Sequence, residues 1–141
     1  GVCNPAADQL FLGAEGYGVT LNGTPVALSA KQNLSGARIL ASRSEIRKGL
    51  WSRYDHAPFK VIPCGSIAYK LACVAAGLAE ATFTLVPKNE WDIAAGTGLI
   101  LAAGGKAIDR SGKPRRFNQS SPLLDGLWAG PEQLIDEIIS L

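Results

Sequence analysis

The chain has 141 residues, 47% of them hydrophobic and 18% charged, with a net charge of +2. Such a chain can bury a core, which excludes bulk disorder, and its charge is too small to track a nucleic-acid backbone. The expectation is therefore no nucleic-acid partner and, with no apolar run of roughly 18 residues, no helical membrane span. Three scattered cysteines, Cys3, Cys64 and Cys73, and a single histidine, His56, offer no zinc-ligand spacing. They read instead as reduced thiols, so the expected compartment is cytoplasmic. Lys113-Pro114-Arg115-Arg116, the densest basic run, reads as a solvated turn and strand edge.

Gly1-Val2-Cys3-Asn4-Pro5 reads as the end of a strand entering a loop, and the chain has no methionine, so a further upstream segment is expected. Gln9–Leu12 and Tyr17–Leu21 follow as short strands, and Asn22-Gly23 is a hairpin turn signal before a strand at Thr24–Val26. These early glycines lack the strand-loop-helix context of a phosphate cradle. From Ala37 the pattern alternates. Ala37–Ala41 predicts a strand, Ser44–Tyr54 a helix capped by Ser44, and Lys60–Pro63 another strand. Ser66–Ala76 predicts an apolar helix closed by Gly77, and Ala81–Val86 a strand stopped by Pro87.

Trp91–Ala103 is apolar nearly all round and so predicts a buried helix, whose Ala94, Ala95, Gly96 and Gly98 allow close backbone approach. Lys106–Ile108, Pro114–Phe117 and Leu127–Ala129 read as strands, and Pro131 opens a last helix running to about Ser140. Strands alternating with helices predict a layered α/β sandwich, with the front hairpins belonging to a different sheet.

The chemistry concentrates at Leu85-Val86-Pro87-Lys88-Asn89-Glu90-Trp91-Asp92. Pro87 ends a strand and a polar loop leads into a helix, which puts Asp92 in the first helical turn at the mouth of the sheet. The helix dipole favours its ionised form there. Ligands of open α/β sheets bind at that edge, and an ionised carboxylate suits a hard divalent cation.

Glu90-Trp91-Asp92 followed by Ala94-Ala95-Gly96 resembles the C-terminal signature of the inositol monophosphatase and bisphosphate nucleotidase superfamily. The likeness continues through Asn4-Pro5 to Gly18, Leu21-Asn22-Gly23, Cys64-Gly65-Ser66-Ile67-Ala68-Tyr69-Lys70, Val74-Ala75-Ala76-Gly77, and Ala102-Ala103-Gly104-Gly105 with Asp109, Gly112 and Phe117-Asn118. It covers essentially the whole chain, in order. It implies the C-terminal half of a Mg²⁺-dependent phosphomonoesterase. Residues 1–30 would be a β-hairpin remnant of the N-terminal domain, and 31–141 the C-terminal α/β domain.

In that family the other ligands come from a helical Glu and an Asp-Pro-x-Asp-Gly-Thr stretch, neither of which occurs here. The resemblance assigns Asp92 to catalysis and to a metal, and Gly65, Ser66 and Lys70 to a small phosphorylated metabolite. It also implies a homodimer and a partner N-terminal half, without which the chain is expected to be inactive. Ser42-Arg43-Ser44 and Lys70 are similar to features of bisphosphate nucleotidases, and Leu85 stands where inositol monophosphatases carry a glutamate. The substrate implied is 3'-phosphoadenosine 5'-phosphate or an inositol phosphate. A non-catalytic phosphate-binding or dimerisation module is the rival reading.

Overall fold

The computed structural model describes residues 1–141. Strands β1 (Val2–Asn4), β2 (Gln9–Ala14), β3 (Gly18–Leu21) and β4 (Thr24–Val26) form an antiparallel sheet in sequence order. The Asn22-Gly23 turn behaves as its sequence predicts, with φ of 50° and 80°. Asn22 also ties the hairpin to β2, its Oδ1 accepting the Leu10 N–H at 2.7 Å and its Nδ2 donating to the Asp8 carbonyl at 2.7 Å. Alternation along β2 and β3 sends Phe11 and Val19 inward and leaves Leu10 and Leu12 on the outer face.

The second sheet is mixed. β5 (Arg38–Ser42) leads into a short helix α1 (Arg43–Arg47), and β6 (Lys60–Cys64) into α2 (Ile67–Ala75). Then come β7 (Ala81–Thr84), β8 (Lys88–Asn89), α3 (Glu90–Ala102), β9 (Lys106–Ile108), β10 (Leu123–Leu124), β11 (Leu127–Gly130) and α4 (Glu132–Ile139). The five-stranded order is β6-β5-β7-β11-β9, with β5 parallel to both neighbours and β11 antiparallel to both of its own. β8 and β10 make a separate two-stranded ribbon.

Side chains of the mixed sheet alternate between two cores. Leu40, Leu127 and Ala129 face α2 and α3, where they join Leu71, Val74, Ile93, Leu99 and Ile100 with Phe11 and Val19 of the antiparallel sheet. Ile39, Ala41, Phe83 and Trp128 face the other way, against α4 (Leu134, Ile135, Ile138) and a loop carrying Trp51, Tyr54 and Phe59. The layers therefore run antiparallel sheet, helix pair, mixed sheet, then α4 with that loop. The expected layered α/β sandwich is present, and the front hairpins do form a different sheet.

Three sequence expectations are corrected. The helix expected over Ser44–Tyr54 stops at Arg47, with Ser42 rather than Ser44 at its N-cap position. Gly49 adopts φ +71° and reverses the chain, so that Trp51 stacks on Phe83 at 4.3 Å between centroids. Burying two aromatics outweighs the weak helical propensity of Ser44–Tyr54. Pro114–Phe117 is not a strand, contributing only one bridge from Pro114 to Ile108. The Asp109 carboxylate turns the chain by accepting the Ser111 and Lys113 N–H groups, and the Glu90 carboxylate accepts those of Asn118 and Gln119. Finally, α3 is buried on one side only. Ile93, Gly96, Leu99 and Ile100 pack inward while Trp91, Ala94, Ala95, Gly98 and Leu101 lie bare.

Candidate functional site

The carboxyl end of β5, the starts of α2 and α3, and β8 converge on one pocket of about 450 Å³. Ser42, Ser66, Lys70, Lys88 and Asp92 are its polar lining. Three residues singled out from sequence, Ser66, Lys70 and Asp92, thus share a cavity. Gly65 lies on the adjoining cavity, which shares Ser42 and Ser66 as a wall.

Ser66 occupies the N-cap of α2 with φ 57° and ψ 120°, a conformation that costs a non-glycine residue about 1–3 kcal/mol. Its Oγ accepts the Tyr69 N–H at 3.3 Å. The N–H groups of Ile67 and Ala68 have no acceptor within the helix, and both residues line the pocket. Such a helix start receives anionic oxygens.

Lys70 is one turn further along α2 and only 2% exposed. Its ammonium makes no hydrogen bond or ion pair within the chain. Burial pushes it down to about 8, opposed by the nearby Glu45 carboxylate and reinforced by Lys88. A cation so placed is a donor held ready for an oxyanion.

Asp92 is exposed in the first turn of α3, and neither of its oxygens accepts a hydrogen bond from the chain. Glu90, in the same turn, is engaged by the Asn118 and Gln119 N–H groups. No group of three or more His, Cys, Asp or Glu side chains gathers anywhere in the chain. Asp92 is a carboxylate of the kind a hard divalent cation takes, and no second carboxylate lines its pocket.

Sequence reasoning missed Glu45. Its carboxylate is 1% exposed and accepts from Thr84 Oγ1, from Trp51 Nε1 at 3.1 Å, from the Leu85 N–H at 3.2 Å and from Lys88 Nζ at 3.5 Å. Burial alone would raise its pKa, but these donors together hold it below the usual carboxylate range. Glu45 thereby pins both ends of the loop that delivers Asp92. Within the expected helix it reads as a surface acid, because only the Gly49 reversal brings Trp51 back over it.

The fold recurs in known proteins. The profile of the inositol monophosphatase family matches residues 1–140. Inositol monophosphatase 3 of Solanum lycopersicum is 34% identical over 119 residues, covering 79% of this chain and 44% of that protein. The Nus factor SuhB of Xylella fastidiosa is 31% identical over 141 residues, covering 92% and 50%. Inositol monophosphatase from Anabaena superposes with a TM-score of 0.80 at 26% identity, covering 96% of this chain and 54% of that one. The Thermotoga maritima enzyme gives 0.81 at 25%, covering 96% and 52%. The chain spans about half the length of these relatives. A profile match along nearly its whole length, carried on the same two sheets and helix pair, means that this chain belongs to the inositol monophosphatase family.

Proposed function

We propose that this chain supplies the C-terminal half of a Mg²⁺-dependent phosphomonoesterase that hydrolyses a small phosphorylated metabolite. The observation carrying this reading is the pocket that a free carboxylate, Asp92, shares with an unpartnered buried ammonium, Lys70, and the start of α2. Family membership supports phosphatase chemistry in general. The substrate is 3'-phosphoadenosine 5'-phosphate or an inositol phosphate, and the complete protein works in the cytoplasm as a homodimer.

Hydrolysis adds water across the phosphoester bond. The water oxygen bonds to phosphorus, the P–O bond to the alcohol breaks, and the alcohol oxygen leaves with a proton. Mg²⁺ held by Asp92 and by ligands outside this chain would supply charge stabilisation for the phosphoryl oxygens. Lys70 Nζ and the N–H groups of Ile67 and Ala68 orient those oxygens, while Ser66 fixes the angle of the helix start. Gly65, beside Ser66, leaves room for the Arg43 guanidinium, which fills the space its Cβ would take. Glu45 and Lys88 hold the Asp92 loop in place.

One experiment separates this reading from its rival. Phosphate release is measured with Mg²⁺ for the complete protein and for the 141-residue chain, on both substrate types. Turnover by the complete protein alone is the expected result. The lack of any cluster of metal-ligating side chains favours the second reading, a phosphate-binding or dimerisation module. Saturable ligand binding by the complete protein without any Mg²⁺-dependent release would establish that instead.

A further inference from the structure

The chain's positive charge is gathered in one segment. Residues 110–124 hold four of the 14 basic side chains and none of the 12 acidic ones, so the rest of the chain is acidic on balance. The fold turns that segment onto a surface cavity of about 610 Å³, on which Lys113, Arg115, Arg116, Gln119 and Leu124 all lie. Asp109 is the single carboxylate there, and its Oδ1 already accepts the Ser111 and Lys113 N–H groups. Arg115 is anchored, its Nη2 donating to the Asp125 carbonyl at 2.6 Å, while its buried Nε has no acceptor in the chain. Lys113 and Arg116 are exposed, and neither side chain enters a hydrogen bond or an ion pair within the chain.

Beside these cations runs an open strand edge. β10 pairs only with β8, and no backbone hydrogen bond from outside that ribbon reaches Leu123 or Leu124. Leu123 is 56% exposed. An unpaired edge is a template for a further extended strand. A nucleic acid makes no use of such an edge, and no aromatic side chain lines the cavity to stack a base. We propose that this face docks an extended acidic segment of a partner protein, laid along β10 with its carboxylates on Lys113, Arg115 and Arg116. Main-chain pairing supplies affinity and the cations supply the choice of an acidic partner. This docking stands apart from the phosphatase chemistry, yet it sits next to the reacting pocket. Leu124 of β10 is paired with Lys88, and the Glu90 carboxylate holds the Asn118 and Gln119 N–H groups.

The test uses the complete protein and labelled peptides of about ten residues, the upper end of ordinary strand length. One is a Glu-Val repeat; the other is the same peptide with every backbone amide N-methylated, so that its charge is kept and its donors are lost. Fluorescence anisotropy at about 50 mM salt should show saturable binding of the Glu-Val peptide, weakened at about 500 mM as screening sets in. The N-methylated peptide should bind at least about tenfold more weakly. Lys113→Glu/Arg116→Glu should cost the Glu-Val peptide at least about tenfold, because like charges then face each other. Should that variant fail to fold by circular dichroism, Arg116→Glu alone is judged by the same loss. No saturable binding, or equal affinity in the wild type and the reversed variant, overturns the proposal. Equal affinity for the two peptides also overturns it, since the strand edge is then unused. Tighter binding of labelled oligothymidylate than of the Glu-Val peptide overturns it in favour of a nucleic-acid partner.

Discussion

At the scale of single residues, a lysine with 2% of its surface exposed and no acceptor for its ammonium works against folding. The folded value of Lys70 is lowered to about 8 from the ordinary 10.5, so the unfolded chain holds that proton more tightly. The penalty is complete below about pH 8 and is relieved as pH rises from there toward 10.5, at up to about 1.4 kcal/mol per pH unit. Lys70→Met should therefore raise stability at pH 7 and remove the wild-type gain between pH 8 and 10.5, while weakening phosphate binding. Thermal melts of both proteins across that range check it; a Met variant that melts lower at pH 7 contradicts it. Glu45 and Glu80 have the opposite sign. Hydrogen bonds overcome burial at Glu45, and the Arg38 guanidinium holds Glu80 down, so both lie below the usual carboxylate range. Their contribution is present above that range and is lost as pH falls through the folded values. Glu45→Gln and Glu80→Gln should each flatten the acid limb of the stability profile measured by urea melts.

At the scale of elements, α3 carries two glycines with opposite roles. A Cβ at Gly96 would stand 2.5 Å from Leu71 Cβ, so Gly96→Ala forces α2 and α3 apart and should cost about 1–3 kcal/mol. Nothing lies within 4 Å of a Cβ at Gly98, so Gly98→Ala in the 141-residue chain should gain about 0.5–1 kcal/mol. Denaturant melts of the two variants check the pair, and equal signs would refute the packing described. Elements with local punctuation were legible in the sequence. Asn22-Gly23, Gly77 and Pro131 mark turns and ends where backbone chemistry decides, and the Asp92 segment was placed correctly on the first turn of its helix. What escaped depends on partners distant in sequence. The end of α1 follows from Trp51 meeting Phe83, and the ribbon of β8 with β10 joins residues more than thirty apart. The burial of Lys70 escaped as well, since helical spacing alone does not say which face meets the Asp92 loop.

At the scale of the whole molecule, apolarity all round α3 meets a structure that covers one side only. Leu101 is 57% and Trp91 68% exposed, and Ala94, Ala95 and Gly98 lie bare between them. A helix that reads as buried while half of it is bare is explained if the other half of a protein twice this length packs there. Leu101→Asp should then cost about 2 kcal/mol or more in the complete protein and little in the 141-residue chain. Equal small losses in both would show that nothing covers this face.

Substituting Asp92 decides whether it belongs to the reacting centre. Mg²⁺-dependent phosphate release by the complete protein is compared with that of its Asp92→Asn variant, with folding checked by circular dichroism. A folded variant slowed by at least ~100-fold is the predicted result, on the scale of losing one group that stabilises developing charge. A folded variant with near-normal turnover would contradict the account.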